Sequence, residues 1–451
     1  MLLDFANIEL SQKGELYHNL YEKIKEAVEC GIIKNGEKLP SVREAASVLG
    51  VSRTTVENAY TRLCIEGIAE SVPQVGYFIS KIVNTQKFES KDSIKKEKVY
   101  KYDFSSRKID TSAADTEAWK RTMRSVLWDT SLLTSYGEKQ GEYVLREVLA
   151  SYSYKARGVR TTPEDIVIGA GVGPLLNILC GLLGRNVKVG IENGGFKEAQ
   201  GIFADYGIET VLLESDVNGA TLESIKKENI DILFLLPSAL SRISINSLNK
   251  RRNDYYAWAN EGENRYIIED DYNGELRYTA RTVSSFQGRS PEKTVYIGSF
   301  SKLLLPSVRI AYMVLPKKLK KAFENKPFGY NQTCGKTEQL ALAEYILKGH
   351  LEKHLRRLRR IYYNKSQILI KSVKEHFKGC EVILYESSLS ILVKTDINEE
   401  SKTLRQKAEN YNIRIEDVSE MGSFKLSFGS IGEAEIDKAC RSLADALYKK
   451  S

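Results

Sequence analysis

The sequence has few of the features that mark secreted, disulfide-rich or membrane-bound proteins. No run of 18 apolar residues is present, so we expect no membrane-spanning helix. The first residues lack the basic and apolar segments of a secretory signal. The six cysteines are scattered without a Cys-x-x-Cys pair and are expected to be reduced, and the four histidines show no metal-ligand spacing. These absences favour a cytoplasmic protein without a metal site.

Length and charge divide the chain into unequal parts. Its 451 residues exceed the length of one ordinary domain. The net charge is +8, yet residues 1–83 contain 9 Lys and Arg against 11 Asp and Glu, a net charge of −2. Residues 84–102 are rich in Lys, Glu and Ser, which predicts a flexible basic linker between domains over 1–83 and 103–451. Binding of nucleic acid by the first domain would therefore depend on where its charges lie.

The first domain is predicted to contain three helices followed by a hairpin. Serines precede the second and third helices as N-caps and glycines end them. Two short helices joined by the Gly50 turn are typical of a helix–turn–helix, whose second helix enters the major groove, and the hairpin would be a wing. From spacing alone, a small helical packing domain is an equally good interpretation. The predicted elements are helices over Leu16–Cys30, 42–49 and Arg53 to about Glu66, and two strands between Val72 and Ile82.

The second domain alternates strands with helices, which predicts a mostly parallel sheet covered on both faces. Ligands in such folds bind at the carboxyl ends of the strands. This larger part is expected over about 130–328, and a smaller α+β part, with a long basic helix over His350–Lys365, over about 329–451. The strand candidates of the larger part are Ile166–Ile168, Val187–Ile191, Thr210–Leu213, Ile230–Leu236, Tyr266–Glu269, Thr294–Ile297 and Ile310–Val314.

The segment Gly298–Tyr312 carries the strongest chemical signal. Lys302 follows a strand and a Ser-Phe-Ser turn, and a desolvated lysine at a strand end is a nucleophile. Arg309 can fold back with Ser299 and Ser301 to hold a phosphate. Pyridoxal phosphate (PLP) needs an amine for a Schiff base, an acid for its pyridine nitrogen and donors for its phosphate. A surface loop with one solvated lysine is the alternative interpretation.

Two further segments supply the other PLP ligands. A buried strand ends in Asp270 and Tyr272, which strand alternation puts on one face. Asp270 would pair with the pyridine nitrogen and Tyr272 with the phenolic oxygen, although an acidic metal-binding loop is an alternative. The Gly-rich turn over 171–173, at a helix start, could bind the phosphate through backbone N–H groups. Phe196 could stack on the ring or simply fill the core.

The residues from Leu39 to Ser80, LPSVREAASVLGVSRTTVENAYTRLCIEGIAESVPQVGYFIS, resemble the winged helix–turn–helix of the GntR family of bacterial regulators. The resemblance begins at about Leu16. It implies a DNA-binding domain. The residues that it assigns to operator DNA are Arg43, Ser52, Arg53 and Thr55, with the wing at Gly76 reaching the neighbouring groove.

The second domain resembles the fold-type I aminotransferases, and the combination resembles the MocR family of regulators. This resemblance rests on the Lys302 and Asp270 segments, on Arg157-Gly158-Val159 and on the run from Lys348 to Arg357. It implies a homodimer. The PLP-binding residues that it implies are Lys302, Asp270, Tyr272, Phe196, Arg309, Gly171, Val172 and Gly173.

Two departures from the family pattern affect the expected activity. Leu240 stands where the family has a side-chain amide beside the cofactor, and Lys425 stands where aminotransferases use an arginine to clamp a substrate carboxylate. Lysine cannot make the planar bidentate contact of arginine. We therefore expect a transcriptional regulator that senses PLP, or an amine or amino-acid effector, through an aldimine at Lys302, with at most half-transamination. The alternative is a working aminotransferase with an ancillary DNA-binding domain.

Overall fold

A computed structural model describes residues 16–80, 99–105, 113–192, 197–216, 218–237, 245–271, 273–278, 284–326, 332–385 and 389–448. These residues form two compact units, one within residues 1–98 and the other within 99–451. No helix in the described ranges is long and apolar enough to cross a membrane. The same ranges contain no group of three or more His, Cys, Asp or Glu that could hold a metal ion.

The N-terminal unit is built from three helices and an antiparallel hairpin. The apolar faces of the helices place Leu20, Ile24, Val56, Tyr60 and Leu63 in one small buried core. The helices are α1 (Leu16–Glu29), α2 (Val42–Leu49) and α3 (Arg53–Ile65), and the strands are β1 (Ala69–Val72) and β2 (Gly76–Ile79).

The predicted position of the hairpin was wrong by about three residues. Its first strand ends at Val72, where the sequence pattern predicted the beginning. In β1 only Ala69 is buried and the next three residues are exposed, so hydrophobicity did not mark this strand. The turn itself was correctly located, since Gln74 has a φ of 62° and Gly76 a φ of 127°.

The C-terminal unit begins before the predicted end of the linker. Tyr102, assigned to the linker from its composition, is buried in β3 (Tyr102–Asp103). That short strand pairs in parallel with β15 (Ile413–Arg414), and the Lys101 N–H donates to the Asn412 carbonyl at 2.9 Å. The last residues before position 103 therefore form part of the folded unit.

A seven-stranded sheet is the centre of the C-terminal unit. All seven strand candidates lie in it, in the spatial order β4-β12-β11-β10-β9-β5-β6. Five neighbouring strands run parallel, and β12 is antiparallel to both of its neighbours. The strands are β4 (Ile166–Gly169), β5 (Lys188–Glu192), β6 (Glu209–Leu213), β9 (Ile232–Leu235), β10 (Tyr266–Asp271), β11 (Thr294–Ser299) and β12 (Ala311–Val314).

Helices cover both faces of this sheet, which is why its strands are continuous apolar runs rather than alternating ones. Ile267 and Ile268, adjacent on β10, enter different cores on opposite faces. The helices and short strands of this part are α4 (Thr116–Trp128), α5 (Thr130–Leu133), α6 (Tyr143–Arg157), α7 (Val172–Leu183), α8 (Lys197–Asp205), β7 (Ser215–Asp216), β8 (Gly219–Ala220), α9 (Leu222–Lys227), α10 (Ile245–Asn260), α11 (Lys317–Glu324) and α12 (Lys336–Leu347).

The remaining residues form a smaller α+β part around a four-stranded sheet, in the order β13-β14-β17-β16. Its long helix extends well beyond the predicted end at Lys365, because Leu369 and Val373 continue the buried stripe. The elements are α13 (His350–His376), β13 (Glu381–Tyr385), β14 (Ser390–Lys394), α14 (Ser401–Asn410), β16 (Glu416–Asp417), β17 (Ser423–Ser427) and α15 (Glu433–Tyr448).

Candidate functional site

The predicted site residues of the C-terminal unit meet at one edge of the large sheet. Strands β10 and β11 are parallel neighbours, with Asp270 opposite Ile297 and Asp271 opposite Gly298. The carboxyl ends of both strands therefore lie together, and Lys302 follows just after β11. Gly169 pairs with Ala311 of the antiparallel strand β12, which brings the turn after β4 to the same edge.

Lys302 is a largely buried amine with a pKa below its usual value. Burial is the main cause, because it disfavours the charged form, and the positive charge of Lys425 lowers the pKa further. The negative charges of Glu416 and Asp270 act in the opposite direction. A lowered pKa enlarges the fraction of neutral amine, which is the nucleophilic form.

Asp270 is a buried carboxylate with an incomplete set of partners. Its side chain is 3% exposed, and within the described residues its Oδ1 atom makes no hydrogen bond. Burial, with the neighbouring charge of Asp271, raises the pKa of Asp270 to about 7, and Lys302 acts against this rise. An unsatisfied buried carboxylate oxygen is costly. It is suited to a cationic donor such as a protonated pyridine nitrogen.

The next carboxylate along β10 has a different role, which the sequence did not predict. Asp271 is fully buried, and its Oδ2 atom lies 2.5 Å from Arg157 Nε. Tyr296 of β11 donates its hydroxyl hydrogen to the same oxygen at 3.0 Å. Arg157, noted in the sequence only as part of the family resemblance, is therefore the buried counter-ion that fixes the end of β10 beside Asp270.

A group of donors lies beside the helix that follows β4. Arg309 Nη1 donates to Ser301 Oγ at 3.3 Å, and the Ser301 N–H donates to Ser299 Oγ at 3.4 Å. Gly171 precedes α7 with a φ of 103°, and a Cβ placed there would lie 2.8 Å from Arg309 Nη2. Glycine thus leaves room for the guanidinium at the start of α7, where Val172 and Gly173 form the first turn. The free N–H groups of this turn and the cation suit a phosphate.

The chemistry of these side chains fits PLP. The buried, unsatisfied oxygen of Asp270, the largely buried amine of Lys302 and the donors around Arg309 and Ser301 correspond to the three polar parts of that cofactor. Phe196 and Tyr272, predicted to contact the ring, lie outside the described residues, as does Leu240.

Lys425 has a neighbour that sequence reasoning missed. It lies on β17 directly opposite Glu416 of β16, and the Lys425 Nζ atom is 4.0 Å from Glu416 Oε2. Its Nζ atom also lies 6.0 Å from the centre of the Tyr385 ring. The predicted carboxylate clamp therefore faces a carboxylate of its own chain. No motif marks Glu416, because it becomes a neighbour only through the pairing of β16 with β17.

In the N-terminal unit, four of the five predicted DNA-contacting residues lie at the beginnings of α2 and α3, and the fifth lies in the hairpin. Gly50 ends α2 with a φ of 66°, and Ser52 Oγ accepts the Thr55 N–H at 3.1 Å as the N-cap of α3. Arg43 and Arg53 are exposed at the beginnings of the two helices. Gly76 begins β2, and a Cβ there would lie 3.2 Å from Lys38 Cε.

Known proteins are similar in sequence to the N-terminal unit and to most of the chain. Residues 16–79 match the model of the bacterial regulatory proteins of the gntR family. The HTH-type transcriptional regulator YdeL of Bacillus subtilis is 33% identical, covering 96% of each chain. The pyridoxine biosynthesis regulator PdxR of Corynebacterium glutamicum is 28% identical over 78% of this chain and 77% of its own. The probable rhizopine catabolism regulatory protein MocR of Rhizobium meliloti is 26% identical, covering 80% and 78%.

Solved structures show the fold of the C-terminal unit. The kynurenine aminotransferase of Pyrococcus horikoshii, in complex with PMP, covers 78% of this chain and 91% of its own with a TM-score of 0.65 and 20% identity. The α-aminoadipate aminotransferase LysN of Thermus thermophilus gives a TM-score of 0.64 at 19% identity and covers 78% and 92%.

Fold and comparisons together define a winged helix–turn–helix joined to a fold-type I aminotransferase-like domain. The chain belongs to the MocR family of GntR-type transcriptional regulators.

Proposed function

We propose that this regulator binds PLP covalently through Lys302 and that PLP, or an amine that takes the place of Lys302 on it, changes its affinity for operator DNA. The observation that carries the proposal is Asp270, a buried carboxylate with an unsatisfied oxygen beside a lysine of lowered pKa. When bound, PLP supplies an aldehyde that bonds to amines and a ring that withdraws electrons.

The residues of the site would contact different parts of PLP. Asp270 would hold a proton on the pyridine nitrogen, and its own raised pKa suits it to share one. Arg309, Ser299, Ser301 and the turn at Gly171 would bind the phosphate. Lys302 would hold the cofactor and, when another amine replaces it, could accept a proton.

Covalent attachment can be tested on the purified full-length protein. PLP-loaded protein should show a visible band that borohydride removes, and proteolysis should then place the reduced adduct on Lys302. Lys302→Ala should lack both. Lys318→Ala is the matched control, because Lys318 is exposed and binds Glu263 at 2.7 Å on the surface. A reducible adduct that persists in Lys302→Ala would overturn the proposal.

Fast catalysis of transamination is the alternative function, and Lys425 argues against it. A clamp that is a lysine already paired with Glu416 positions a substrate carboxylate poorly. Misplacement of a substrate can cost on the order of 100-fold in rate. The protein should therefore show slow or no repeated turnover with common pairs of amino acid and keto acid.

A homodimer is part of the same proposal. Large apolar side chains are exposed on the C-terminal unit within one stretch of sequence, including Trp128 at the end of α4 and Tyr136 before α6, both almost wholly in solvent. A group of exposed aromatic residues marks an interaction surface. A second copy of the chain would cover it.

A further inference from the structure

Strands β16 and β17 carry an ion pair between Glu416 and Lys425. Glu416 and Lys425 are cross-strand partners, and their side chains are 27% and 28% exposed, so the pair is largely removed from water. Both charges act on the Lys302 amine, whose pKa Lys425 lowers and Glu416 raises. The pair therefore lies within electrostatic reach of the atom to which an effector would bond.

The neighbouring acid on β16 has a different partner. Asp417 Oδ1 lies 2.6 Å from Arg405 Nη1 on α14, and Arg405 also lies 3.7 Å from Glu409. Arg405 is thus engaged by two acids other than Glu416. Lys425 is the cross-strand partner of Glu416 in the pairing of β16 with β17, and the two side chains form an ion pair.

We propose that Glu416 occupies, on Lys425, the position that an effector's carboxylate would need, so that the Lys302 site takes a primary amine without a carboxylate beside its amino group. A carboxylate that reached Lys425 would have to displace Glu416 from it, and the existing ion pair would be lost. A plain amine leaves the pair intact. Glu416 is on this view a residue that determines specificity.

The inference rests on the proposed attachment of PLP to Lys302. The exchange it requires is balanced without an oxidant or reductant. The effector nitrogen would form a double bond to the former aldehyde carbon of PLP, the double bond from that carbon to Lys302 Nζ would break, and both hydrogens of the incoming amine would pass to Lys302 Nζ.

The test compares matched amines on the full-length, PLP-loaded protein. The two pairs are ethylamine with L-alanine and histamine with L-histidine, and the members of each pair differ only by the carboxylate. Each is titrated against the visible band of the bound cofactor and corrected for its reaction with free PLP. The wild type should bind the amine of each pair more tightly. In Glu416→Gln the affinity for the amino acid should rise up to about fivefold relative to the amine, the upper end of what one partly exposed ion pair contributes.

Two further variants separate specificity from loss of structure. Glu420→Gln is the control, because Glu420 is paired with Lys394 at 2.8 Å. This variant should leave the ratio of amino-acid affinity to amine affinity unchanged. The double variant Glu416→Gln/Lys425→Met should lose the increase in amino-acid affinity, because the Lys425 ammonium group that would bind the carboxylate is then absent. Equal ratios in wild type and Glu416→Gln, or tighter binding of the amino acids by the wild type, would overturn this inference alone. A wild type that forms no reducible band would overturn the proposed function, and this inference with it.

Discussion

At the scale of single residues, the acids at the end of β10 are distinguished by their partners. Glu269 accepts the N–H groups of Phe286 and Gln287 at 2.9 and 3.1 Å, and Asp271 binds Arg157. Asp270 and Asp271 each retain an Oδ1 atom without a hydrogen bond among the described residues, but the charge of Asp271 is neutralised by Arg157. Three acids in sequence thus have three different environments, and Asp270 is the one suited to a ligand.

Asp270→Asn should weaken PLP binding and stabilise the protein without PLP. An amide cannot hold the pyridine nitrogen protonated, so the dissociation constant for PLP should rise at least about tenfold, or roughly 1.4 kcal/mol. Absorbance titration of the full-length protein measures this change. Asp205→Asn, at an exposed position on α8, is the matched control.

The gain in stability should depend on pH in a defined direction. Because the folded pKa of Asp270 is raised to about 7, its charge destabilises the fold above the unfolded pKa, most strongly above pH 7. Urea unfolding of the PLP-free protein should show a gain of up to about 4 kcal/mol for Asp270→Asn at pH 8 and only about 1.5 kcal/mol at pH 5. A loss of stability at pH 8 would contradict the assignment of Asp270 as an unsatisfied carboxylate.

Residue types at strand ends predicted Lys302, Asp270 and Arg309 as site residues from the sequence, and their role in binding PLP stays a prediction. Arg157 and Glu416 were missed as contact residues for a physical reason. The contact of Arg157 with Asp271 joins residues 114 positions apart, and that of Glu416 with Lys425 depends on strand register. Neither separation nor register can be read from local patterns.

At the scale of elements, the beginnings of α2 and α3 are fixed by local hydrogen bonds. Ser41 and Glu44 form a reciprocal capping box at 3.2 and 2.9 Å, and Ser52 caps α3. These contacts leave Arg43 and Arg53 outside the core and exposed. The helices can therefore present both cations to DNA without loss of packing.

Arg43→Ala and Arg53→Ala should each lower operator affinity. Loss of one phosphate contact should also reduce the salt slope by about 1, whereas loss of a base contact should cost about 1–3 kcal/mol and relax sequence preference. Binding titrations at several salt concentrations distinguish the two. Lys23→Ala is the control, because Lys23 lies on α1 and binds Glu26 at 2.9 Å. Unchanged affinity in the double variant would exclude these helices as the reader.

The sequence predicted elements well where hydrophobicity and caps coincide. All seven sheet strands and the three N-terminal helices were located, because apolar runs or serine caps mark them. It failed for β1, whose residues are mostly exposed, and for the C-terminal half of α13. The spatial order of the strands requires contacts that no local pattern contains.

At the scale of the whole molecule, assembly should depend on the exposed aromatic residues Trp128 and Tyr136 of the C-terminal unit. We expect a homodimer in light scattering after size-exclusion chromatography. Trp128→Glu should shift it towards monomer, because a charge in a buried apolar interface is unfavourable. Tyr411→Glu, at another exposed aromatic residue, should not. A wild type that remains monomeric while PLP-loaded would contradict this expectation.

The central claim is that PLP at Lys302 controls DNA binding, and the most direct measurement is operator affinity with and without PLP. For the wild type, the dissociation constant for operator DNA should change at least about fivefold when PLP is added without any amine, or when an amine is added to the loaded protein; that is the lower end of typical coupling between sites. Lys302→Ala should bind the operator with one affinity under all three conditions. The claim would be contradicted if PLP attaches to the wild type but its operator affinity is the same without PLP, with PLP, and with PLP and an amine.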